Sequence, residues 1–233
     1  MNKISKNQLM EMIELQDTFN SKVNPDWRSA GYDWDLYIIA EAVEACGHLG
    51  FKHWKKDVNS VTQYEMELVD IFHFLLSRVM VFLPNDKAVN FILEGIDGGV
   101  LLTDKNLKIV SIIKTLIFYV LNQDFGFISV FSKLVENTES GWQGLYDKYI
   151  LKNALNHFRN ENGYTDGTYK KIRDNREDNE IIIEMANILK TAKVFSYENI
   201  MAAMKLEYEH GIDAGLDMFF DIIEGDENPE VNF

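Results

Sequence analysis

Proline is nearly absent from this chain, and that constrains its fold more than any other feature. Only Pro25, Pro84 and Pro229 occur in 233 residues. Residues 26–83 and 85–228 therefore lack the one residue that both removes a helix hydrogen bond and clashes with the preceding turn. Apolar positions recur at helical spacing through these stretches. Leu9, Met12, Ile13 and Phe19 predict a helix from Lys6 to about Lys22, with Gln16 in phase and Asn20 one turn later. Leu36, Ile39, Ala40 and Val43 predict a second from about Trp34 to Gly47. Ser60 and Thr62 both open capping-box spacings ahead of a third, which runs through Leu68, Ile71, Phe72, Leu75 and Val79 and stops near Pro84. Residues 85–110 are mixed, with turns expected at Gly95, Gly98 and Gly99. Further helices are expected at 111–122, 127–136, from Gly141 and Gly144 to about Arg159, at 178–192 and at 196–222. Residues 160–179 read as a polar loop and 225–233 as a loose acidic tail. No segment has a strand period, and no repeat or linker divides the chain. The expectation is a single all-α domain over residues 1–233, a helical bundle.

Composition narrows the function. Apolar residues make up 46% and charged residues 26%, a globular mix. The single cysteine, Cys46, excludes an intrachain disulfide framework and any multi-cysteine metal site. The longest apolar run, near 112–121, is interrupted by Lys114 and is too short to span a membrane; the polar N-terminus has no signal-peptide core. A reducing, cytoplasmic setting fits. A net charge of −14 disfavours nucleic acid and anionic membranes as partners. A phosphorylated small molecule remains compatible if cations or a local basic patch reverse the field.

Two carboxylate pairs carry the chemistry. Glu41 and Glu44 share a helix face at i, i+3, and so do Glu67 and Asp70. Glu-x-x-Glu is common on solvated helix surfaces, so the first pair alone says little. Asp70 is different, because it interrupts Leu68-Val-Asp-Ile-Phe-His-Phe-Leu-Leu76, a helix apolar almost all round. An unpaired ionised carboxylate there is costly. Two such pairs on facing helices could enclose one or two cations, and all-oxygen ligation favours Mg²⁺ or Mn²⁺ over Zn²⁺. A di-iron bundle also needs Glu-x-x-His on two helices. Asp70-x-x-His73 supplies half of that; His48, His53 and His157 have no acid three residues earlier, and His210 alone of the others follows an acid, Glu207, at that spacing.

A second cluster is basic: Lys170, Lys171, Arg173 and Arg176 concentrate within Tyr164–Asn179. A charged loop is usually just solvated, and no Walker signature is present. Beside a two-metal acidic site it acquires a purpose, since a triphosphate needs positive charge beyond what the metals leave after neutralising their ligands. A third cluster could read a base: Gln16 and Asn20 turn amides inward, and Trp54, His73 and Phe74 offer flat rings. Aromatics at helical spacing are more often core, whereas an inward amide left unpaired costs about 1–3 kcal/mol.

These residues together resemble the all-α, dimeric dUTPase family, related more distantly to other all-α nucleotide pyrophosphatases. The resemblance lies in five motifs in order: Leu15-Gln-x-x-Phe-Asn20; Glu41-x-x-Glu44 followed by Lys52-His-Trp-Lys55; Glu67-x-x-Asp70-x-x-His73-Phe74; Lys152-Asn-Ala-Leu-Asn-x-Phe-Arg159; and Gly163-Tyr-x-Asp-Gly-x-Tyr-Lys-Lys171 leading to Glu177-Asp-Asn179. The middle, about 84–145, matches none of them. The resemblance implies hydrolysis of dUTP to dUMP and pyrophosphate by water attack at the α-phosphorus, in a homodimer. It implies Mg²⁺ on Glu41, Glu44, Glu67 and Asp70, with Glu41 also orienting or deprotonating the water. Gln16, Asn20 and Asn153 would belong to the nucleoside pocket, with Trp54, His73 and Phe74 against base and sugar. Tyr164, Lys171 and Asn179 would engage the phosphates, with Arg159 and Arg176 as lesser candidates.

The chain also departs from that pattern. Phe51 stands where many relatives have Trp. Arg173 and Asn175 stand where an aromatic and a glycine are common. Cys46-Gly-His48 is less bulky than expected. Base preference is thereby left open: dCTP, or dUDP, could share the site with dUTP. A nucleotide-sensing regulatory protein on the same fold is the alternative from another class, though complete carboxylate pairs favour an enzyme.

Overall fold

The computed structural model describes residues 3–51, 54, 60–98, 108–173 and 175–225. The tail beyond Gly225, Gly99, and Lys52, His53 and Lys55 of the second motif lie outside the described residues. The chain is all-α. Its helices are α1 (Lys6–Val23), α2 (Trp34–His48), α3 (Val61–Phe82), α4 (Asn85–Asp97), α5 (Ile109–Leu121), α6 (Phe127–Glu136), α7 (Gly141–Glu161), α8 (Asp178–Thr191), α9 (Tyr197–His210) and α10 (Ile212–Gly225). One short antiparallel hairpin joins β1 (Ile172–Arg173) to β2 (Arg176–Glu177). Among the described residues no helix is long and apolar enough to cross a membrane.

The chain divides into two compact units, residues 1–149 and 150–233. In the first, α3 is the central element. It is buried from Tyr64 to Met80 on nearly every side, leaving Glu67, Asp70 and Phe74 as a half-buried stripe. Helix α2 packs along it. Caps set where both begin: Asp33 Oδ1 accepts from the Leu36 amide at 3.0 Å, and Ser60 Oγ accepts from the Gln63 amide at 3.2 Å. Each cap satisfies an amide that has no partner inside its helix. Ser5 and Gln8 form a full capping box on α1. The core gathers stacked rings, with Phe72 lying 5.2 Å from Phe131 at an interplanar angle of 6°. In the second unit, α9 and α10 pack against each other and α8 joins them.

Three expectations are corrected. Residues 85–97 form one helix, α4, whose buried side is Ala88, Val89, Ile92 and Ile96. Gly95 lies within it because a Cβ there would stand 2.8 Å from Ile128 of α6; the glycine marks a close approach, not a turn. The stretch 196–222 is two helices, broken at Gly211, whose φ of +85° is unfavourable for any other residue. The loop 160–179 contains a hairpin, turned by Asn175 at φ +61°, a conformation asparagine tolerates better than most residues.

Candidate functional site

In the first unit α2 and α3 bring three of the four expected acids together. Oxygens of Glu41, Glu67 and Asp70 all lie within 4.8 Å of one another. Their side chains are sheltered: Glu67 is 12% and Asp70 21% exposed. Glu44 is exposed and lies outside this trio, although its charge still acts on Glu41. The Glu41 carboxyl is pushed up to about 8, first by burial, then by the charge of Asp70, and then by hydrogen bonding to Glu67 and the charges of Glu67 and Glu44. Such a cluster is stable only with a shared proton or a cation between the acids. Three oxygen donors and no sulfur suit a hard divalent ion.

A residue absent from the sequence motifs joins this group. His48 Nε2 lies 3.2 Å from Glu67 Oε1. It holds one carboxylate oxygen and so fixes the orientation of that group. Its signal was available, because His48 is one turn beyond Glu44 on the same face of α2.

One turn from the acids, α2 and α3 carry rings. Phe74 lies 5.4 Å from Tyr37 and 6.2 Å from Trp34. Tyr32 and Trp27 meet Trp34 edge-on. A cavity of about 390 Å³ opens beyond Trp34, lined also by Trp27, Arg28, Tyr32, Arg78 and Phe125. Of this ring cluster only Phe74 was anticipated. Trp54 is exposed, its ring 6.3 Å from that of Phe51.

The inward amides are where the helical phase puts them. Gln16 and Asn20 are buried on α1. Gln16 Nε2 donates to Asn20 Oδ1 at 2.9 Å and to Ser77 Oγ at 3.2 Å, and Asn20 Nδ2 donates to Ser77 Oγ at 2.9 Å. The Tyr149 hydroxyl lies 3.0 Å from Gln16 Oε1. His73 stacks on Tyr149 at 4.1 Å and places Nδ1 2.9 Å from the Val69 carbonyl. Gln16, Asn20, Ser77 and Tyr149 are thus joined by hydrogen bonds, and Ser77 Oγ donates to the His73 carbonyl at 2.9 Å.

In the second unit, Asn153 of α7 is fully buried, and neither atom of its amide has a hydrogen-bond partner among the described residues. Native interiors rarely leave both ends of an amide unmet. Arg159 forks onto Asp178, with Nε and Nη2 each 2.8 Å from a carboxylate oxygen, and the Tyr169 hydroxyl donates to the same carboxylate at 2.9 Å. Arg176 pairs with Glu184. Asn179 Oδ1 lies 3.4 Å from Arg159 Nη2. Tyr164 is half exposed under the Arg159 guanidinium, 5.5 Å from it. Lys171 is 43% exposed, its Nζ 3.4 Å from Glu177. Arg173, in the place of the expected aromatic, lies against the Tyr208 ring at 5.0 Å and pairs with Glu207.

The family model described as dUTPase matches residues 8–164, more than half of the chain. No curated protein matches it.

Proposed function

The chain belongs to the all-α dUTPase family and is a dUTP pyrophosphatase; from that premise we propose that its activity depends on a divalent cation, Mg²⁺ or Mn²⁺, held by Glu41, Glu67 and Asp70 with Glu44 at the margin. The observation that carries this reading is the trio of acids within 4.8 Å, where burial and the neighbouring carboxylates push the Glu41 carboxyl up to about 8. When bound, such a cation would supply positive charge to the phosphates and acidify a water molecule. Glu41, ionised in that state, would accept a proton from the water that attacks the α-phosphorus, and dUMP and pyrophosphate would leave. His48 would keep Glu67 oriented. Gln16, Asn20 and Asn153 would serve the nucleoside, the unmet amide of Asn153 being the support for its part. Trp54, His73 and Phe74 would contribute rings. Tyr164, Lys171 and Asn179 would hold phosphate oxygens; Arg159 and Arg176, already engaged with carboxylates, are lesser candidates. Catalysis of this kind is positioning and charge stabilisation.

The test is turnover of each deoxynucleoside triphosphate with and without Mg²⁺. Cation-dependent dUMP and pyrophosphate from dUTP, with dTTP untouched, is the expected result; equal rates in chelator would overturn the cation's role. A second measurement concerns the proton on Glu41. Mg²⁺ binding near pH 7 should release about one proton, because the ligands must ionise. Calorimetry in buffers of differing ionisation enthalpy reads this directly, and a buffer-independent heat would count against it.

We also propose a homodimer. Leu36 and Val43 are 57% and 49% exposed, and with Ala40 they form an apolar stripe on the exposed side of α2. Phe118 and Leu121 of α5, which packs beside α2, are likewise exposed. Isolated apolar residues on a surface are ordinary, and it is their grouping on α2 and α5 that supports an interface here. Val43→Glu should shift the sedimenting species from dimer to monomer; a wild-type sedimentation coefficient for that variant would place the interface elsewhere.

A further inference from the structure

We propose that α9 is the platform that positions the phosphate-binding loop, with Glu207 as its positioning residue. The inference rests on the reading of Lys171 as a phosphate ligand, and it concerns helix α9, which lies beyond the residues that the family model matches.

Lys171 sits between residues that are all anchored to α9. Arg173 donates through Nε to Glu207 Oε1 at 2.9 Å and through Nη2 to Oε2 at 2.6 Å, a bidentate pair. Glu207 is only 4% exposed and Arg173 14%. A forked pair of this sort fixes direction as well as distance. The third guanidinium nitrogen, Nη1, donates to the Lys170 carbonyl at 2.9 Å. The Lys170 amide in turn donates to the Tyr208 hydroxyl at 3.1 Å. Tyr169 stacks on Tyr208 with centroids 5.4 Å apart and planes within 4°. Residues 169, 170 and 173 are thus each tied to the consecutive pair Glu207–Tyr208. The Lys171 side chain, 43% exposed and with its Nζ 3.4 Å from Glu177, projects from this anchored backbone.

Gly215 lets α10 pack directly against α9 at the same place. A Cβ at that position would lie 2.6 Å from the Glu207 amide nitrogen and 2.7 Å from its Cα. Only glycine lets α10 close onto the backbone of α9 at the very residue that carries the pair. Glu207 has no contact with substrate to offer; it acts through Arg173 and Lys170.

Pyrophosphate and deoxyuridine separate this role from a merely structural one. With Mg²⁺ present, Glu207→Gln keeps the shape of the side chain but loses the charge. It should weaken pyrophosphate binding by about tenfold, the equivalent of one lost charge-assisted contact. Deoxyuridine affinity should stay unchanged, and KM for dUTP should rise more than kcat falls. Tyr208→Phe, which keeps the ring stack and removes only the acceptor for Lys170, should shift pyrophosphate affinity the same way by a smaller factor, and it serves if the first variant does not fold. Wild-type pyrophosphate affinity in the folded variants, or equal loss for both ligands, would overturn the platform. Lys171→Ala separates the two readings. If it loses pyrophosphate affinity and the α9 variants do not, the platform falls while the phosphate role stands. If Lys171→Ala binds pyrophosphate as wild type does, the phosphate role falls and the platform with it.

Discussion

Glu41→Gln is expected to reduce dUTP turnover by about three orders of magnitude, the scale of losing a general base at a metal-assisted site, while making the metal-free protein more stable at alkaline pH. The two effects have one cause. In the folded chain the Glu41 carboxyl is pushed up to about 8 from an ordinary 4.5, by burial and by Asp70, Glu67 and Glu44. The folded state therefore binds that proton more tightly than the unfolded state does. Below about pH 4.5 both states are protonated and nothing is lost. As pH rises from 4.5 towards 8 the unfolded state has released its proton and the folded state still holds it, so metal-free stability falls across that window. An uncharged amide at position 41 removes the slope. Thermal unfolding in chelator, recorded from pH 5 to pH 9, should show a declining wild-type midpoint and a flatter one for the variant. Saturating Mg²⁺ should flatten the wild-type profile as well. Near-normal turnover in the variant would remove Glu41 from the chemistry, and a wild-type slope would show that its proton is not the one that matters.

That cluster was legible because a helix converts spacing into direction. The i, i+3 spacing on α2 and α3 brought Glu41, Glu67 and Asp70 together but left Glu44 exposed at the edge, and an aspartate inside an apolar segment has to meet something polar. The same rule located Gln16 and Asn20 in the core. It could not say what they would bond to, since Ser77 and Tyr149 come from distant parts of the chain. His48, Trp34 and Tyr37 were missed for a milder reason: each lies on the acid-bearing face of α2, but single rings and imidazoles at helical spacing are usually core. Breaks were harder. Apolar periodicity runs through Gly211 without a fault, and only its positive φ separates α9 from α10. Gly95 was misread in the opposite sense, because a glycine that lets Ile128 approach looks in sequence like a glycine that turns the chain. Charge pairing was least legible of all. Nothing local to Arg159, Arg173 or Arg176 announces Asp178, Glu207 or Glu184, so a basic cluster that reads as free positive charge is partly consumed by carboxylates within its own unit.

Asp178→Ala is the substitution expected to cost the most stability, about 3–5 kcal/mol, because it strands a buried guanidinium. Asp178 is fully buried, and both of its oxygens accept from Arg159. Burial alone would raise its pKa, but the hydrogen bonds and charge of Arg159, with help from Tyr169, hold it below the ordinary 3.8. Its contribution is therefore present above that value and is lost only as pH falls through the folded one. Removing the whole arrangement is a different matter from removing one partner. A triple variant, Arg159→Met with Asp178→Leu and Tyr169→Phe, removes the buried guanidinium together with its carboxylate and the Tyr169 hydroxyl and should recover most of the loss, since a buried ion pair and an apolar replacement are often close in free energy. This variant also asks what Arg159 does for the substrate. If the arginine is wholly engaged in bracing Asp178, the refolded variant keeps kcat/KM for dUTP within about tenfold of wild type, the effect of one modest contact. A fall of a hundredfold or more in a protein whose denaturation midpoint has been restored would mean that Arg159 leaves Asp178 to reach a phosphate during turnover.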